Sequence, residues 1–200
     1  MKLIFIRHGQ GEHTLDLPGS LQLNDPGLTL HGQSQAAELR KKFNVTEEDI
    51  IIASPVRRTL ETASIFSNEV RCSKVASPLV SPRMFPQKPE WNTLPCDTLL
   101  TKCQIRDDFP SFSFDMEQSN ELWEEGINTM EEEEFRKLAI GFMEWCRDQG
   151  KKRVFIVSHD GTITSYRQLL SGTTFTRDDF LKETGWIEME CPDSFSTLKR

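Results

Sequence analysis

Lys2-Leu3-Ile4-Phe5-Ile6-Arg7-His8-Gly9-Gln10 begins as a nearly continuous apolar run and ends in an arginine, a histidine and a glycine. A short run of this kind, rich in branched side chains and without polar alternation, is the pattern of a strand buried on both faces, here residues 2–6. Two further segments repeat the pattern. Ile50-Ile51-Ile52-Ala53 leads into Ser54-Pro55-Val56-Arg57-Arg58, and Arg153-Val154-Phe155-Ile156-Val157 leads into Ser158-His159-Asp160-Gly161. Ser73 to Val80 is a weaker strand candidate, and Trp186-Ile187-Glu188-Met189-Glu190 alternates as a half-buried or edge strand does.

Helical spacing fills the intervals. Ala36, Leu39 and Phe43 recur within residues 33–43, and Leu60, Ala63 and Phe66 follow Ser54-Pro55, which read as N-cap and first helical residue. The longest helix is expected over residues 130–149. Thr129 and Glu132 suit a capping box, glutamates crowd the first turns, Phe135, Leu138, Phe142 and Trp145 make a stripe, and Gly150 can end it. A helix over about 162–170, closed by Gly172, and a short one near 178–182 complete the reading. Strands alternating with helices predict an α/β fold of three layers, a mostly parallel sheet flanked by helices.

A chain of 200 residues with 36% hydrophobic side chains can bury a sizeable core, so residues 1–200 are expected to form a single domain. The net charge of -7 and pI near 5.2 offer no broad basic field to nucleic acid or to an anionic membrane. Any anion must therefore be caught by a local basic pocket. No stretch has the length of a signal peptide core or a membrane span, which makes the cytoplasm the expected compartment. Cys72, Cys96, Cys103, Cys146 and Cys191 are odd in number and lack a C-x-x-C pair, and they read as reduced packing cysteines. Residues 81–121, with Pro82, Pro86, Pro89, Pro95 and Pro110, show little periodicity and read as a proline-rich irregular insertion. It is either a lid or substrate wall, or padding around the core.

Chemistry collects at the ends of the three strongest strands. Ligands of open α/β sheets sit at the carboxyl ends of strands, so clusters distant in sequence can converge on one pocket. Two histidines, His8 and His159, and at least two arginines would meet there. Guanidinium groups match the oxygens of a phosphate monoester bidentately, which makes Arg7 and Arg58 the natural clamps, and helix N-termini add to the attraction. With phosphate charge neutralised, a neutral imidazole nitrogen of His8 can attack phosphorus in line and form a covalent intermediate that water cleaves. A hydrogen bond from the other ring nitrogen to a nearby backbone carbonyl would hold the tautomer, and glycine at position 9 permits close backbone approach. His159 would donate to the transferring phosphoryl oxygens.

These segments resemble the histidine phosphatase superfamily, also called the phosphoglycerate mutase-like family. Arg7-His8-Gly9 resembles its N-terminal R-H-G signature. Asp25-Pro26-Gly27-Leu28-Thr29, Gly32 and Gln35-Ala36 resemble D-x-P-L-T-x-x-G-x-x-Q-A, Ser54 to Arg58 with Thr62-Ala63 resemble S-P-L-x-R-A-x-x-T-A, and Ser158 to Gly161 complete the set. The resemblance implies a phosphoglycerate mutase-like fold, His8 as nucleophile, Arg7, Arg58 and His159 as phosphate ligands, and neither metal nor cofactor. Gly9, Gln10, Thr14, Asp160 and Gly161 are the accompanying substrate-binding candidates, and the partner is a small phosphorylated substrate. The spacing from Ser54 selects Arg58, leaving Arg57 about 100 degrees around the helix as a surface or rim residue.

The chain departs from the family in two places. Thr14 stands where asparagine is common, and His13 beside it either helps to read the substrate or sits on a loop. The general acid, which protonates the leaving oxygen, is usually a carboxylate shortly after the third strand, and Leu79-Val80-Ser81-Pro82-Arg83 holds none. Asp97 is favoured, Glu90 is the alternative, and a pocket without an acid is the third possibility. Arg83 either contacts a second anionic group or is an exposed loop residue. The reading is a phosphatase hydrolysing monoesters through a phosphohistidine. Its competitors are a mutase-like phosphotransferase, a non-catalytic phosphate-binding module that lost the acid, and a metallohydrolase on His8, Glu12, His13 and His159, disfavoured because arginines repel a cation.

Overall fold

The computed structural model describes residues 1–200 except 69, 89, 115–117, 193–194 and 196–200. Its centre is a six-stranded sheet ordered β4-β3-β2-β5-β1-β6, with β1 Lys2–Arg7, β2 Ile50–Ala53, β3 Ser73–Ala76, β4 Ser113–Phe114, β5 Arg153–Ser158 and β6 Trp186–Glu190. All neighbours run parallel except β6, which pairs antiparallel with β1 at the edge. The helices are α1 Leu30–Glu38, α2 Arg57–Phe66, α3 Lys102–Asp108, α4 Asn120–Glu125, α5 Glu132–Asp148 and α6 Asp160–Ser171. This is the mostly parallel α/β sheet flanked by helices that the strand pattern predicts.

The unbroken apolar strands are explained by burial on both sides. Leu3, Phe5, Ile50, Ile52, Val154 and Ile156 point to one face and pack with Phe135, Phe142 and Met143 of α5 and with Ile163 and Tyr166 of α6. Ile4, Ile6, Ile51, Ala53, Phe155 and Val157 point to the other and pack with Leu60, Ala63 and Phe66 of α2 and Ile105 of α3. Burying each large apolar side chain is worth about 1.5–3 kcal/mol, so two such layers hold the central strands firmly in register. That register sets Arg7 opposite Ser158 and Ala53 opposite Val157, which levels the carboxyl ends of β1, β5 and β2.

Local chemistry moves several boundaries. Ser54 and Pro55 do not open α2: the Ser54 N–H donates to Val157 O as if the strand continued, and the N-cap is Val56. The Thr129–Glu132 box does not form either. Glu131 is the N-cap of α5 without a side-chain bond, and the Glu132 carboxylate is taken by Arg83. Helix α1 starts earlier than the stripe suggests, because the Thr29 hydroxyl caps Gly32 N–H. The element expected near 178–182 is a single 3-10 turn, Arg177–Asp179.

The largest correction concerns residues 81–121, of which 89 and 115–117 lie outside the described residues. Only its first part, 81–100, is irregular. Beyond that come α3, whose Thr101–Gln104 capping box is a signal present in the sequence, then β4, and the start of α4. Among the described residues no disulfide joins the cysteines; Cys96, Cys146 and Cys191 are buried, whereas Cys103 is exposed and packs into no core. Among the described residues no helix is long and apolar enough to cross a membrane.

Candidate active site

The three level strand ends meet as expected of their register. Past β1 the backbone keeps pairing, His8 N–H to Ser158 O at 3.1 Å, while His8 O accepts from Thr184 N–H at 3.2 Å. Gly9 lies so close to the backbone of α1 that a Cβ there would come within 2.5 Å of Gly32 O, so no other residue fits without displacing the helix. With the chain pinned on both sides, the His8 ring is 3% exposed and its Nδ1 lies 2.7 Å from Gly9 O. A carbonyl can only accept, so Nδ1 carries the hydrogen and Nε2 keeps its lone pair. Consistent with this tautomer, Arg58 Nε points at His8 Nε2 from 3.4 Å.

Arg58, in the first turn of α2, is 1% exposed and joins the whole floor of the site. Its Nη1 donates to Cys96 O at 2.6 Å, and its Nη2 reaches Asp97 Oδ1 at 2.7 Å and His159 Nδ1 at 3.3 Å. On the far side of His159, Nε2 lies 2.9 Å from Ser54 Oγ, and the His8 and His159 ring centroids are 5.1 Å apart. Arg7 enters from β1, donating from Nη1 to Leu181 O at 2.7 Å and pairing through Nη2 with Asp160 at 3.1 Å, while its buried Nε has no partner.

Burial and guanidinium charge act together on the imidazoles. Desolvation first, and Arg58 second, hold both His8 and His159 well below the usual histidine range, so both rings are neutral at pH 7. His13 is lowered to about 3 by burial, then by Arg58 and Arg7. A pocket that keeps three imidazoles neutral beside two permanent cations is poised for an anion.

The floor opens into a cleft of about 700 Å³. One wall is Pro82, Arg83, Met84 and Phe85 with Phe180 and Arg177; another runs from Trp91 to Asp97; Leu21 and Asn128 add to the rim.

Of the residues singled out in the sequence, Arg7, His8, Arg58, His159, Asp97, Asp160 and Gly161 all line this cleft. Three do not. Gly9 is spent on the contact with α1; the Gln10 side chain accepts from Thr29 Oγ1, and its N–H donates to Gln35; Thr14 Oγ1 donates to Gly11 O at 2.8 Å. Each stabilises the loop after β1 instead of facing the cleft. Glu90 is exposed and outside the lining, so the insertion brings Asp97 to the floor and leaves Glu90 behind.

His13 is not a bystander on a loop: it lines the cleft 5.6 Å from the His8 ring, with a buried Nδ1 that has no partner. Arg83 is neither exposed nor free for an anion, since it bonds Ile127 O, Met130 O and Glu132 and lies 4.1 Å over the Phe135 ring. Arg57 bridges Asp25 and Asp108, which pins the loop before α1 to the start of α2. Leu21, Asn128, Arg177 and Phe180 are beyond sequence reasoning, because they come from three segments far apart in the chain, Arg177 and Phe180 sharing one, and carry no local pattern.

Comparison with known proteins agrees with this fold. Residues 3–199 match the model of the histidine phosphatase superfamily (branch 1). A Schizosaccharomyces pombe protein named as a probable phosphatase is 37% identical over 65 residues, covering 32% of this chain and under a third, 30%, of that protein. Among solved structures, the α-ribazole phosphatase of Shigella flexneri superposes with a TM-score of 0.59 at 16% identity, covering 96% of this chain and 92% of that one. The Entamoeba histolytica phosphoserine phosphatase, solved with 3-phosphoglyceric acid, gives 0.59 at 22% identity, covering 94% and 89%. At these identities the structural likeness speaks for the fold.

Proposed function

The chain belongs to the histidine phosphatase superfamily, and from that premise we propose that it hydrolyses small phosphate monoesters through a phosphohistidine on His8, without a metal. The observation that carries the reading is the state of His8: a neutral imidazole whose Nδ1–H is held by Gly9 O and whose Nε2 lone pair faces the one buried arginine of the floor. Family membership and the S. pombe relative, which is named a probable phosphatase, support a hydrolase of this kind.

In this account the phosphate dianion displaces the weak contacts of Arg58 with the two imidazoles and takes donors from Arg58 and Arg7. His8 Nε2 attacks phosphorus; the N–P bond forms as the bond to the ester oxygen breaks, and the leaving oxygen takes a proton from Asp97. Water then cleaves the N–P bond, giving its proton to Asp97 and releasing inorganic phosphate. Asp97 must carry a proton when the ester dianion binds, and the hydrolysis step leaves one on it for the next turnover. His159 is neutral with Nδ1 toward Arg58 and Nε2 toward Ser54, and it donates to phosphoryl oxygen once substrate draws a second proton onto the ring. Arg7 and Arg58 flank the imidazoles with positive charge, a poor setting for a cation.

The reading also places the enzyme in a reducing compartment, the cytoplasm, in keeping with five cysteines joined by no disulfide among the described residues. The test is a pre-steady-state assay with p-nitrophenyl phosphate, with and without chelator. A burst of p-nitrophenol equal to the enzyme concentration, unaffected by chelator, is expected. Turnover lost on chelation sinks the metal-free reaction, and no turnover in any buffer leaves a phosphate-binding module.

A further inference from the structure

The floor engages only a phosphoryl group, which fills a small part of a 700 Å³ cleft. What surrounds the rest is largely apolar, with Asn92, Thr93, Asn128 and Arg177 among its polar members, and is tied directly to the floor. On one side, Gly161 lets the 83–85 backbone touch the start of α6, since a Cβ there would collide with Arg83 O and lie 3.4 Å from Phe85 Cβ; Phe85 in turn meets Phe180 at a centroid distance of 6.1 Å. On the other side, Arg58 holds Cys96 O and Asp97, so the Trp91–Leu94 stretch stands where that wall rises from the floor.

Trp91 and Leu94 are 42% and 37% exposed, although both line a cleft, and exposed large apolar groups in a concavity mark a binding surface. The charged side chains of the lining are almost all engaged: Asp97 with Arg58, Asp160 with Arg7, and Arg83 with Glu132 and two carbonyls. Arg177 is the exception among the described residues, with only the Phe180 ring 5.6 Å away. Polyhydroxylated alcohols would press most of their hydroxyls against Phe85, Phe180, Trp91 and Leu94, with only Asn92, Thr93, Asn128 and Arg177 to partner them, which is costly. An aromatic ring would instead find edge and face contacts with Phe85, Phe180 and Trp91.

Building on the phosphatase reading above, we propose that the preferred substrates are small phosphate monoesters whose alcohol carries an aromatic ring, lodged between Trp91 and Leu94 on one side and Phe85 and Phe180 on the other. Asp97, on the floor at the foot of the Trp91 wall and a partner of Arg58, then sits at the junction of phosphate and alcohol, where the leaving oxygen emerges.

The test compares kcat/KM for 2-phenylethyl phosphate with glycerol 1-phosphate and glucose 6-phosphate, all esters of aliphatic alcohols, so that phenol acidity does not bias the comparison. An aromatic preference of at least about tenfold is expected, as for other apolar specificity pockets. Trp91→Ala and Phe180→Ala should each shrink that preference several-fold, chiefly through KM, while Leu30→Ala, a fully folded control outside the cleft and 83% exposed, leaves it unchanged. Should Phe180→Ala unfold, the exposed Trp91 decides. Turnover of p-nitrophenyl phosphate with no aromatic preference, or a preference indifferent to Trp91, overturns the substrate assignment alone. Absence of any turnover or phosphoenzyme brings down the phosphatase reading and this inference with it.

Discussion

The floor and the walls of the cleft are built on opposite principles. The floor comes from the ends of three parallel strands in fixed register, and its side chains, His8, Arg58, His159 and Ser54, are almost wholly buried and bonded to one another. The walls come from loops far apart in the chain, and their side chains, Trp91, Leu94, Phe85 and Phe180, are partly exposed and touch few partners. Rigid, preorganised polar groups suit bond making and breaking, where small displacements are expensive. Loose apolar surfaces suit selection, where contacts add in small increments. Asp97 belongs with the floor, where Arg58 holds it at the foot of the Trp91 wall. The comparison assigns chemistry to the floor and choice to the walls above it, and it can be broken by any residue from Trp91 to Leu94 that acts on chemistry or any floor residue that acts only on choice.

The sharpest attempt is His8→Ala, expected to lower kcat by at least about 10⁴-fold, the scale of losing a covalent nucleophile, with every ester affected alike in a steady-state assay. Arg58→Ala comes next. It removes phosphate charge neutralisation and releases Asp97, Cys96 O and His159 together, so a loss of about 10³-fold in kcat/KM is expected, along with a lowered Tm. Asp97→Asn should cost about 10²-fold in kcat for esters of aliphatic alcohols and far less for p-nitrophenyl phosphate, whose leaving group needs no proton. A uniform loss across leaving groups would make Asp97 a mere partner of Arg58.

A fourth prediction concerns stability. His8, His13 and His159 are held neutral in the fold, His13 with its pKa lowered to about 3, whereas an unfolded histidine titrates near 6.5. Below about pH 6.5 the unfolded chain therefore binds protons that the folded chain refuses, so stability is complete above that pH and falls as pH falls through it. Each such histidine contributes up to about 1.4 kcal/mol per pH unit, roughly tenfold in the folding equilibrium. Denaturant titrations at pH 7.5 and 5.5 should show the decline, and His13→Gln should flatten it. The smallest effect is reserved for the rim: Arg177→Ala should change kcat/KM by only a few-fold, as an exposed cation on an aromatic ring does.

The same division governs what the sequence reveals. Residues 2–10, 50–58 and 153–161 are contiguous, so a buried strand and the polar cluster at its end can be read together, and sheet geometry alone then brings the clusters to one place. Five of the six strands, four of the six helices, and the meeting of Arg7, His8, Arg58 and His159 in one cleft are legible in the sequence, whereas β4, α3 and α4 are not. Thr14 and Gln10 were misjudged because proximity to a motif says nothing about side-chain direction: both turn back onto their own loop. His13 was undervalued for the converse reason. Asp97 owes its place to a loop anchored by Arg58, and Leu21, Arg177 and Phe180 owe theirs to three-dimensional closure, which leaves no periodic trace. The helix α3 was hidden by prolines on either side, though its Thr101–Gln104 box was in view.

The central claim rests on one atom and has one direct measurement. Wild-type protein mixed with substrate and quenched in alkali, where phosphohistidine survives, should yield a stoichiometric phosphopeptide on tandem mass spectrometry, with phosphate on His8 and absent from His13 and His159. Multiple turnovers with no phosphopeptide, or phosphate found on His159 or His13 in place of His8, would contradict the account.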